Sequence, residues 1–306
     1  MDNLIQKTFQ DIKSLKIQGA TDVAIAIMRA ISVYASRAKV NDLSIFKKKI
    51  KKAADLLLLA RPTEPMAQNG VKIILSQLKT EKKSISLAQD IIQRTVEDFL
   101  IMIADAGDLI VEHGEKTIQK QENIFTHCHS SLVEKILIKA WQNQKEIKVY
   151  NTETRPLFQG RITARALLAA GIPTTMVADS SAGFLISHHS GKELMMDKII
   201  LGADAILFDG SVINKIGSFS IALVAKQEGV PLYVAANLLK FHEQLKIKIE
   251  ERSPQELWKK APVGLKIINF AFDRIPAEYI TGGIICEEGI INPKQAKELT
   301  QKNYQI

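Results

Sequence analysis

Cysteine is almost absent from this sequence. Its 306 residues contain two, Cys128 and Cys286, and neither lies in a Cys-x-x-Cys pair. Two cysteines in so long a chain make no disulfide framework, and their isolation argues against a zinc site. In a reducing cytosol both are expected as free thiols. Long apolar runs are missing as well: no window approaches the roughly 18 uninterrupted apolar residues of a membrane span. The first residues, Met-Asp-Asn-Leu-Ile-Gln-Lys, lack a basic segment followed by an apolar one. No signal peptide is therefore expected, and the protein reads as cytoplasmic and away from membranes. There is no Gly-x-Gly-x-x-Gly and no Walker motif, which argues against a dinucleotide or nucleoside-triphosphate engine. No ribonucleoprotein-type aromatic motif or Gly-x-x-Gly clamp speaks for nucleic acid.

Acidic residues are outnumbered, 33 against 41 basic ones, giving a net charge of +8. That balance favours anionic partners: phosphorylated metabolites, nucleic acid or acidic proteins. The excess is mostly lysine, as in Lys47-Lys48-Lys49-Ile50-Lys51-Lys52. This run alternates with apolar positions at helical spacing and reads as a solvated helix face rather than an RNA patch. A hydrophobic fraction of 46% with 24% charged residues is ordinary for a soluble globular protein. The length suffices for two domains, or for one large α/β domain with an appendage.

Residues 1 to about 120 read as an all-helical domain. Leu4, Phe9, Ile12 and Leu15 suit a first amphipathic helix, which Gly19 breaks. Val23, Ile27, Ile31 and Tyr34 follow the helical period in a second. A third stops before Arg61-Pro62-Thr63, and a fourth covers roughly Met66 to Leu78. The polar run Thr80 to Ser84 reads as a linker to a long fifth helix from Ile85. From about residue 121 to 306 short apolar runs alternate with amphipathic stretches. Candidate strands are Ile124 to His127, Ile147 to Asn151, Thr174 to Ala178, Lys198 to Leu201 with Ala205 to Phe208, and Leu232 to Ala235. Strand and helix in alternation predict right-handed crossovers and a Rossmann-like parallel sheet. The fold class expected is thus α/β, with a helical N-terminal domain and the site on the C-terminal one.

Polar groups cluster at the predicted strand ends, where an α/β sheet builds its crevice. Thr126-His127-Cys128-His129-Ser130 follows the first strand and leads into a helix that Ser130 or Ser131 can cap. That helix end would favour an anion and lower the pKa of a nearby thiol. Cys128 reads either as such a thiol or as a small buried filler. On a regular strand His127 and His129 would face away from Cys128, which disfavours a Cys–His nucleophile pair. Glu153-Thr154-Arg155-Pro156 ends the second strand, where Arg155 either holds a phosphate or is an exposed loop residue. Asp179 is most simply a helix N-cap. Asp204 lies at the fourth strand, with Asn214 and Lys215 in a following turn and Lys240 after the fifth strand. Together these groups describe a small-molecule pocket of anionic preference. A thiol opposed to a carboxylate suits proton transfer.

The runs Thr-His-Cys128-His-Ser, Thr-Glu-Thr-Arg155-Pro-Leu-Phe-Gln-Gly160-Arg-Ile-Thr-Ala, Gly-Ala-Asp204, Val-Ile-Asn214-Lys215-Ile-Gly217, and Lys240-Phe-His resemble one superfamily in order. It is that of aldose-phosphate isomerases and the regulatory subunits of initiation factor 2B, and the resemblance covers about residues 10 to 295. The late Phe272-Asp273-Arg-Ile-Pro-Ala-Glu-Tyr279 run brings the chain nearest the ribose-1,5-bisphosphate isomerase branch. The methylthioribose-1-phosphate branch fits less well. The resemblance implies Cys128 and Asp204 as the acid/base pair. It places Gly19, Ala20, Arg61, Ser130, Arg155, Asn214, Lys215 and Lys240 around a phosphorylated substrate. It implies no metal or organic cofactor, and it implies homo-oligomers, dimers or hexamers. In the implied reaction Asp204 protonates the ring oxygen as it leaves C1, and Cys128, as thiolate, removes the C2 proton.

One departure stands out. Where family isomerases carry Arg-Gly-Ala, this chain has Gln18-Gly19-Ala20. The backbone donors remain, but a guanidinium contact of about 1.5–3 kcal/mol is gone. The alternative the departure favours is a regulatory subunit in translation initiation, with a vestigial pocket and initiation factor 2 subunits as partners.

Overall fold

A computed structural model describes residues 2–79, 84–245 and 247–304. Residues 80–83 of the expected linker lie outside the described residues.

The chain divides into two compact units, Met1–Asp105 with Thr300–Ile306, and Ala106–Leu299. The division falls inside a long helix, whereas the sequence places the change of pattern near residue 120.

The first unit is helical: α1 (Asn3–Lys13), α2 (Ala20–Ser36), α3 (Leu43–Leu58), α4 (Pro65–Lys79) and most of α5 (Ile85–Lys116). Each helix has a local cause. The Asp2 carboxylate accepts from the Leu4 N–H at 2.8 Å, and Asp42 accepts from Ile45 at 2.7 Å, so both act as N-caps. Val23, Ile27 and Ile31 of α2 recur at helical spacing and are wholly buried. Gly70 of α4 permits close approach: a Cβ there would lie 2.8 Å from the Phe99 ring.

The second unit begins with the end of α5 and continues β1 (Asn123–Thr126), α6 (Ser131–Gln142), β2 (Lys148–Thr152), α7 (Gly160–Ala169), β3 (Thr174–Val177) and the short α8 (Ala182–Ile186). Then come β4 (Lys198–Leu201), β5 (Ala205–Leu207), β6 (Val212–Lys215), α9 (Ser218–Glu228), β7 (Leu232–Ala235) and β8 (Phe241–His242). The remainder is α10 (Pro254–Leu257), β9 (Phe272–Ile275), β10 (Gly283–Cys286), β11 (Gly289–Ile291) and the start of α11 (Ala296–Tyr304). Seven strands form one sheet in the order β11-β10-β7-β4-β1-β2-β3. It is parallel throughout except for β11, which pairs antiparallel with β10. Its core contains Ile124, Val149, Ile200 and Ile285 of the strands, with Val133, Ile136 and Leu137 of α6. The reversal from α5 into β1 is secured by the Lys145 ammonium, which pairs with Glu115 at 2.7 Å and donates to the Ile118 carbonyl.

A second sheet was not anticipated. Strands β8, β5, β6 and β9 form it, in that order, with β6 antiparallel to both neighbours. The stretch expected as one strand, 198–201 with 205–208, is therefore two strands in two sheets. The break falls at Gly202-Ala203-Asp204. Gly202 passes so close to the α6 cap that a Cβ on it would lie 2.7 Å from the Ser130 Cβ. Two residues later the Asp204 N–H donates to the Ile213 carbonyl at 2.9 Å and starts the second sheet. Both halves are buried and apolar, so hydropathy carries no mark of the change. Among the described residues no helix is long and apolar enough to cross a membrane.

Candidate active site

β1 ends at Thr126, and Cys128 takes up a left-handed backbone with φ 69°. That conformation is costly for a residue with a Cβ and persists only where the surroundings impose it. Here they do. The Cys128 N–H donates to Thr154 Oγ1 at 3.0 Å, and its carbonyl accepts from Thr163 Oγ1 at 3.0 Å. Its Sγ lies 3.7 Å from Gln159 Oε1. Thr154 is itself left-handed, at φ 60°, and the Arg155–Pro156 peptide bond is cis. Asp179 fixes this second loop. Its carboxylate accepts from the Thr154 N–H at 2.7 Å and the Arg155 N–H at 2.6 Å. Asp179 was expected as a helix N-cap, but no side-chain cap bond forms there. The carboxylate reaches the neighbouring strand end instead.

The left-handed residue also undoes the expected strand alternation around Cys128. His127 and His129 do go elsewhere. His127 bonds Thr152 Oγ1 and the Ile216 carbonyl, while His129 Nδ1 lies 3.1 Å from Thr163 Oγ1. Among the described residues neither ring bonds the Cys128 thiol.

The helix end after Cys128 was expected to lower the thiol's pKa. Burial instead pushes it up to about 11. The Lys215 ammonium and the His129 backbone N–H pull the other way, and the Asp204 and Asp179 carboxylates add to the rise. Burial wins because Cys128 is only 8% exposed. Both cysteines are free and buried.

Asp204 is half-buried between β4 and β5. Just before it, the Ala203 carbonyl accepts from the buried Lys240 ammonium at 2.7 Å. Asn214 and Lys215 were expected in a turn, but they are the last residues of β6, paired with Asp273 and Phe272 of β9. The strand was missed because Val-Ile-Asn-Lys is short and half polar. The Asn214 amide donates to Ser218 Oγ at 2.9 Å, and that hydroxyl donates to the Lys215 carbonyl at 2.7 Å. The Lys215 ammonium lies 5.0 Å from the Phe272 ring centroid. The turn then reaches Gly217, at φ 103°, and opens α9. Asp273 answers the first donors there, accepting from Gly217 at 2.7 Å and Phe219 at 3.1 Å. Burial raises the Asp273 carboxyl to about 6 against those two donors. Ser130 caps α6, accepting from the Val133 N–H at 3.5 Å.

The remaining expected residues lie on the loop after β2 and on the helical unit. Arg155 is exposed, its guanidinium 5.0 Å from the Phe158 ring centroid. Gly19, Ala20 and Arg61 belong to the helical unit. Gly19 is the left-handed residue before α2, and Ala20 opens that helix. Gln18 donates to the Leu15 carbonyl at 2.8 Å. Arg61, 8% exposed, forms an ion pair at 2.7 Å with the fully buried Glu64. Among the described residues no group of three His, Cys, Asp or Glu side chains could hold a metal.

Lys215 and Asp204 thus both act electrically on the Cys128 thiol, with Ser130, Asn214 and Lys240 held on the segments that carry them. Sequence reasoning passed over Thr154, Gln159 and Thr163, although all three lie in the Thr-Glu-Thr-Arg…Gln-Gly-Arg-Ile-Thr run. It also passed over the uses of His127, Asp179 and Asp273.

The sequence model of the Initiation factor 2 subunit family matches residues 16–293. The ribose 1,5-bisphosphate isomerase of Methanocaldococcus jannaschii is 36% identical, over 99% of this chain and 96% of its own length. The methylthioribose-1-phosphate isomerase of Heliobacterium modesticaldum is 31% identical, over 94% of this chain and 87% of its own. Among solved structures, the translation initiation factor eIF-2B of Pyrococcus horikoshii OT3 superposes with a TM-score of 0.83 at 27% identity. That match covers 96% of this chain and 99% of the other.

Proposed function

We propose that this chain, which belongs to the Initiation factor 2 subunit family, is an isomerase that converts ribose 1,5-bisphosphate to ribulose 1,5-bisphosphate. The observation that carries the reading is the buried Cys128 thiol, set under the opposing charges of Lys215 and Asp204. The similarity to a named ribose 1,5-bisphosphate isomerase over nearly the whole chain supports the substrate.

The phosphorylated anomeric carbon cannot open as a free aldehyde does. A thiol held near pKa 11 is neutral at physiological pH, so it serves first as the acid. This reverses the order inferred from sequence. Cys128 gives its proton to the ring oxygen as the C1–O bond breaks, and the C1 phosphate oxygen shares the positive charge. The thiolate so formed removes the C2 proton, leaving an enol phosphate. Asp204 takes the O2 proton while Cys128 returns a proton to C1, which gives the ketone. Transfer of that proton from Asp204 to sulfur restores the site. Lys215 and the Asn214 amide supply cation and donor for the substrate's anionic oxygens. Arg155 lies at the exposed loop.

The test is incubation of the pure protein with ribose 1,5-bisphosphate and detection of ribulose 1,5-bisphosphate. Product is expected, and Cys128→Ser should reduce turnover by orders of magnitude with the fold intact. Absence of product, or undiminished turnover in that variant, refutes the assignment. A second reading follows from Gln18 and from the likeness to the solved structure of a translation initiation factor. It is a regulatory subunit that uses the pocket for binding alone. No product, with co-purification of an initiation factor 2 subunit, would select it. Assembly as a homo-oligomer, dimer or hexamer, belongs to either reading.

A further inference from the structure

We propose that His127 is a positioning residue of this site: a strut that ties the end of β2 to the turn after Lys215 and holds the Lys215 ammonium where it acts on the Cys128 thiol. The proposal rests on the roles given above to Cys128 and Lys215.

The ring is buried, 3% exposed, yet both nitrogens are engaged. Nε2 lies 2.9 Å from the Ile216 carbonyl oxygen. A carbonyl only accepts, so Nε2 carries the hydrogen. Nδ1, 2.6 Å from Thr152 Oγ1, therefore accepts from that hydroxyl. The Thr152 oxygen, its own hydrogen committed, accepts from the Thr154 hydroxyl at 3.1 Å. Thr154 Oγ1 in turn accepts the Cys128 N–H at 3.0 Å. Every hydrogen in the row is assigned. It runs from the Cys128 backbone, through the fully buried Thr152 and the nearly buried Thr154, to the residue next to Lys215.

The neutral ring that this order needs is favoured by burial, which lowers the imidazole's pKa. The Ile216 carbonyl and Asp179 oppose that shift, and Lys215 adds to it. Gly217 makes room for the ring: at φ 103° it has no side chain, and a Cβ there would lie 3.3 Å from His127 Nε2. His127 thereby joins the seven-stranded sheet, through β1 and β2, to the four-stranded sheet at the end of β6. From the other side the same turn is held by the Ile216 N–H on the Ala271 carbonyl at 3.0 Å. The groups that act on the thiol are Lys215 at the end of β6, Asp204 before β5, Asp179 after β3 and the N–H of His129. Lys215 is the one full positive charge among them.

The test uses the intact protein and the rate at which iodoacetamide alkylates Cys128, followed on its peptide by mass spectrometry at about pH 9. No substrate is needed, so failure of the isomerase assignment and failure of this proposal are distinguishable. His127→Gln keeps a donor at the Nε2 position and the bond to Ile216. His127→Asn keeps a polar group at Nδ1 only. Loss of the strut should lower the thiolate population, and alkylation in His127→Asn should slow about fivefold or more. His127→Gln and Thr152→Val both keep the bond to the turn after Lys215 and give up the Thr152 contact, so each should slow alkylation less than His127→Asn does, staying within about twofold of the parent rate. Should His127→Asn not fold, His127→Leu, which gives up the bond to Ile216 as well, is compared with His127→Gln instead. Equal rates in the Gln and Asn variants overturn the proposal. So does faster alkylation, because a merely structural histidine would loosen the loop and expose the thiol.

Discussion

If Cys128 enters the reaction as a neutral thiol, turnover and thiol reactivity must depend on pH in different ways. Burial moves this thiol from an ordinary value of 9.0 to about 11. That disfavours the thiolate by about 3 kcal/mol relative to water. At pH 8 roughly one molecule in a thousand then carries thiolate. The assay is kcat/KM for ribose 1,5-bisphosphate from about pH 7 to 9.5, beside the alkylation rate of Cys128 over the same range. Alkylation follows the thiolate and should climb close to tenfold per pH unit without a plateau. kcat/KM should stay flat, because the acid form is already full. Two substitutions set the sign. Lys215 pulls the thiol's pKa down, so Lys215→Met should slow alkylation at fixed pH. Asp204 pushes it up, so Asp204→Asn should speed alkylation even while turnover is lost. A kcat/KM that climbs tenfold per unit in step with alkylation would make the thiolate the starting form and refute the acid-first order.

Three further outcomes are expected. Arg61→Met and Glu64→Leu should each destabilise by about 3–5 kcal/mol in denaturant melts, because each breaks a buried ion pair. The double variant should cost far less than the sum, and additivity would show that the pair at 2.7 Å is not coupled. Asp273, raised to about 6, contributes stability that is full below about pH 4 and lost as pH rises through 6. The wild type should therefore lose about 2 kcal/mol relative to Asp273→Asn between pH 4 and 7, and a calorimetric difference that stays constant with pH would count against this. Gly217→Ala should destabilise more than Gly229→Ala. Both are left-handed, but only at Gly217 would the new Cβ meet a side chain, the His127 ring. The backbone cost alone is about 1–2 kcal/mol at either site, so equal melting shifts would argue against the close contact.

What could be read from residue order, and what could not, divides along physical lines. The helices of the first unit are legible because Val23, Ile27 and Ile31 repeat at the helical period. The parallel strands are legible because Ile124, Val149 and Ile200 sit in short apolar runs between amphipathic helices. The second sheet is not. β5 follows β4 after three residues, and the only trace of the change is Gly202, whose missing side chain matters because of Ser130, far away in the chain. Cys128, Asp204, Asn214, Lys215 and Lys240 are proposed from sequence because polar groups gather at the predicted strand ends. Their support could not. Thr154 and Asp179 matter through backbone contacts, which depend on left-handed residues that carry no mark in a Cys or a Thr. The direction of the Cys128 shift was also out of reach. A helix N-terminus and burial oppose each other there, and only the fold says how dry the thiol is.

The charge of the proposed substrate bears on the same balance. A sugar bisphosphate brings several negative charges to a site where Asp204 and Asp179 already raise the thiol's pKa. Anions near a thiol disfavour its ionised form. Lys215 is the cation that opposes them, and once phosphate oxygens share its field less is left for sulfur. Substrate binding therefore makes a thiolate-first order harder than the free site does, and an acid-first order easier. Under the proposed order the thiolate appears only after sulfur has given its proton to the ring oxygen, when a positive C1 lies next to it. Charge is separated only between groups in contact and is cancelled at the next step. A buried cysteine is suited to that sequence. It is too weak an acid to lose its proton to water, and its conjugate base is strong enough to take one from carbon.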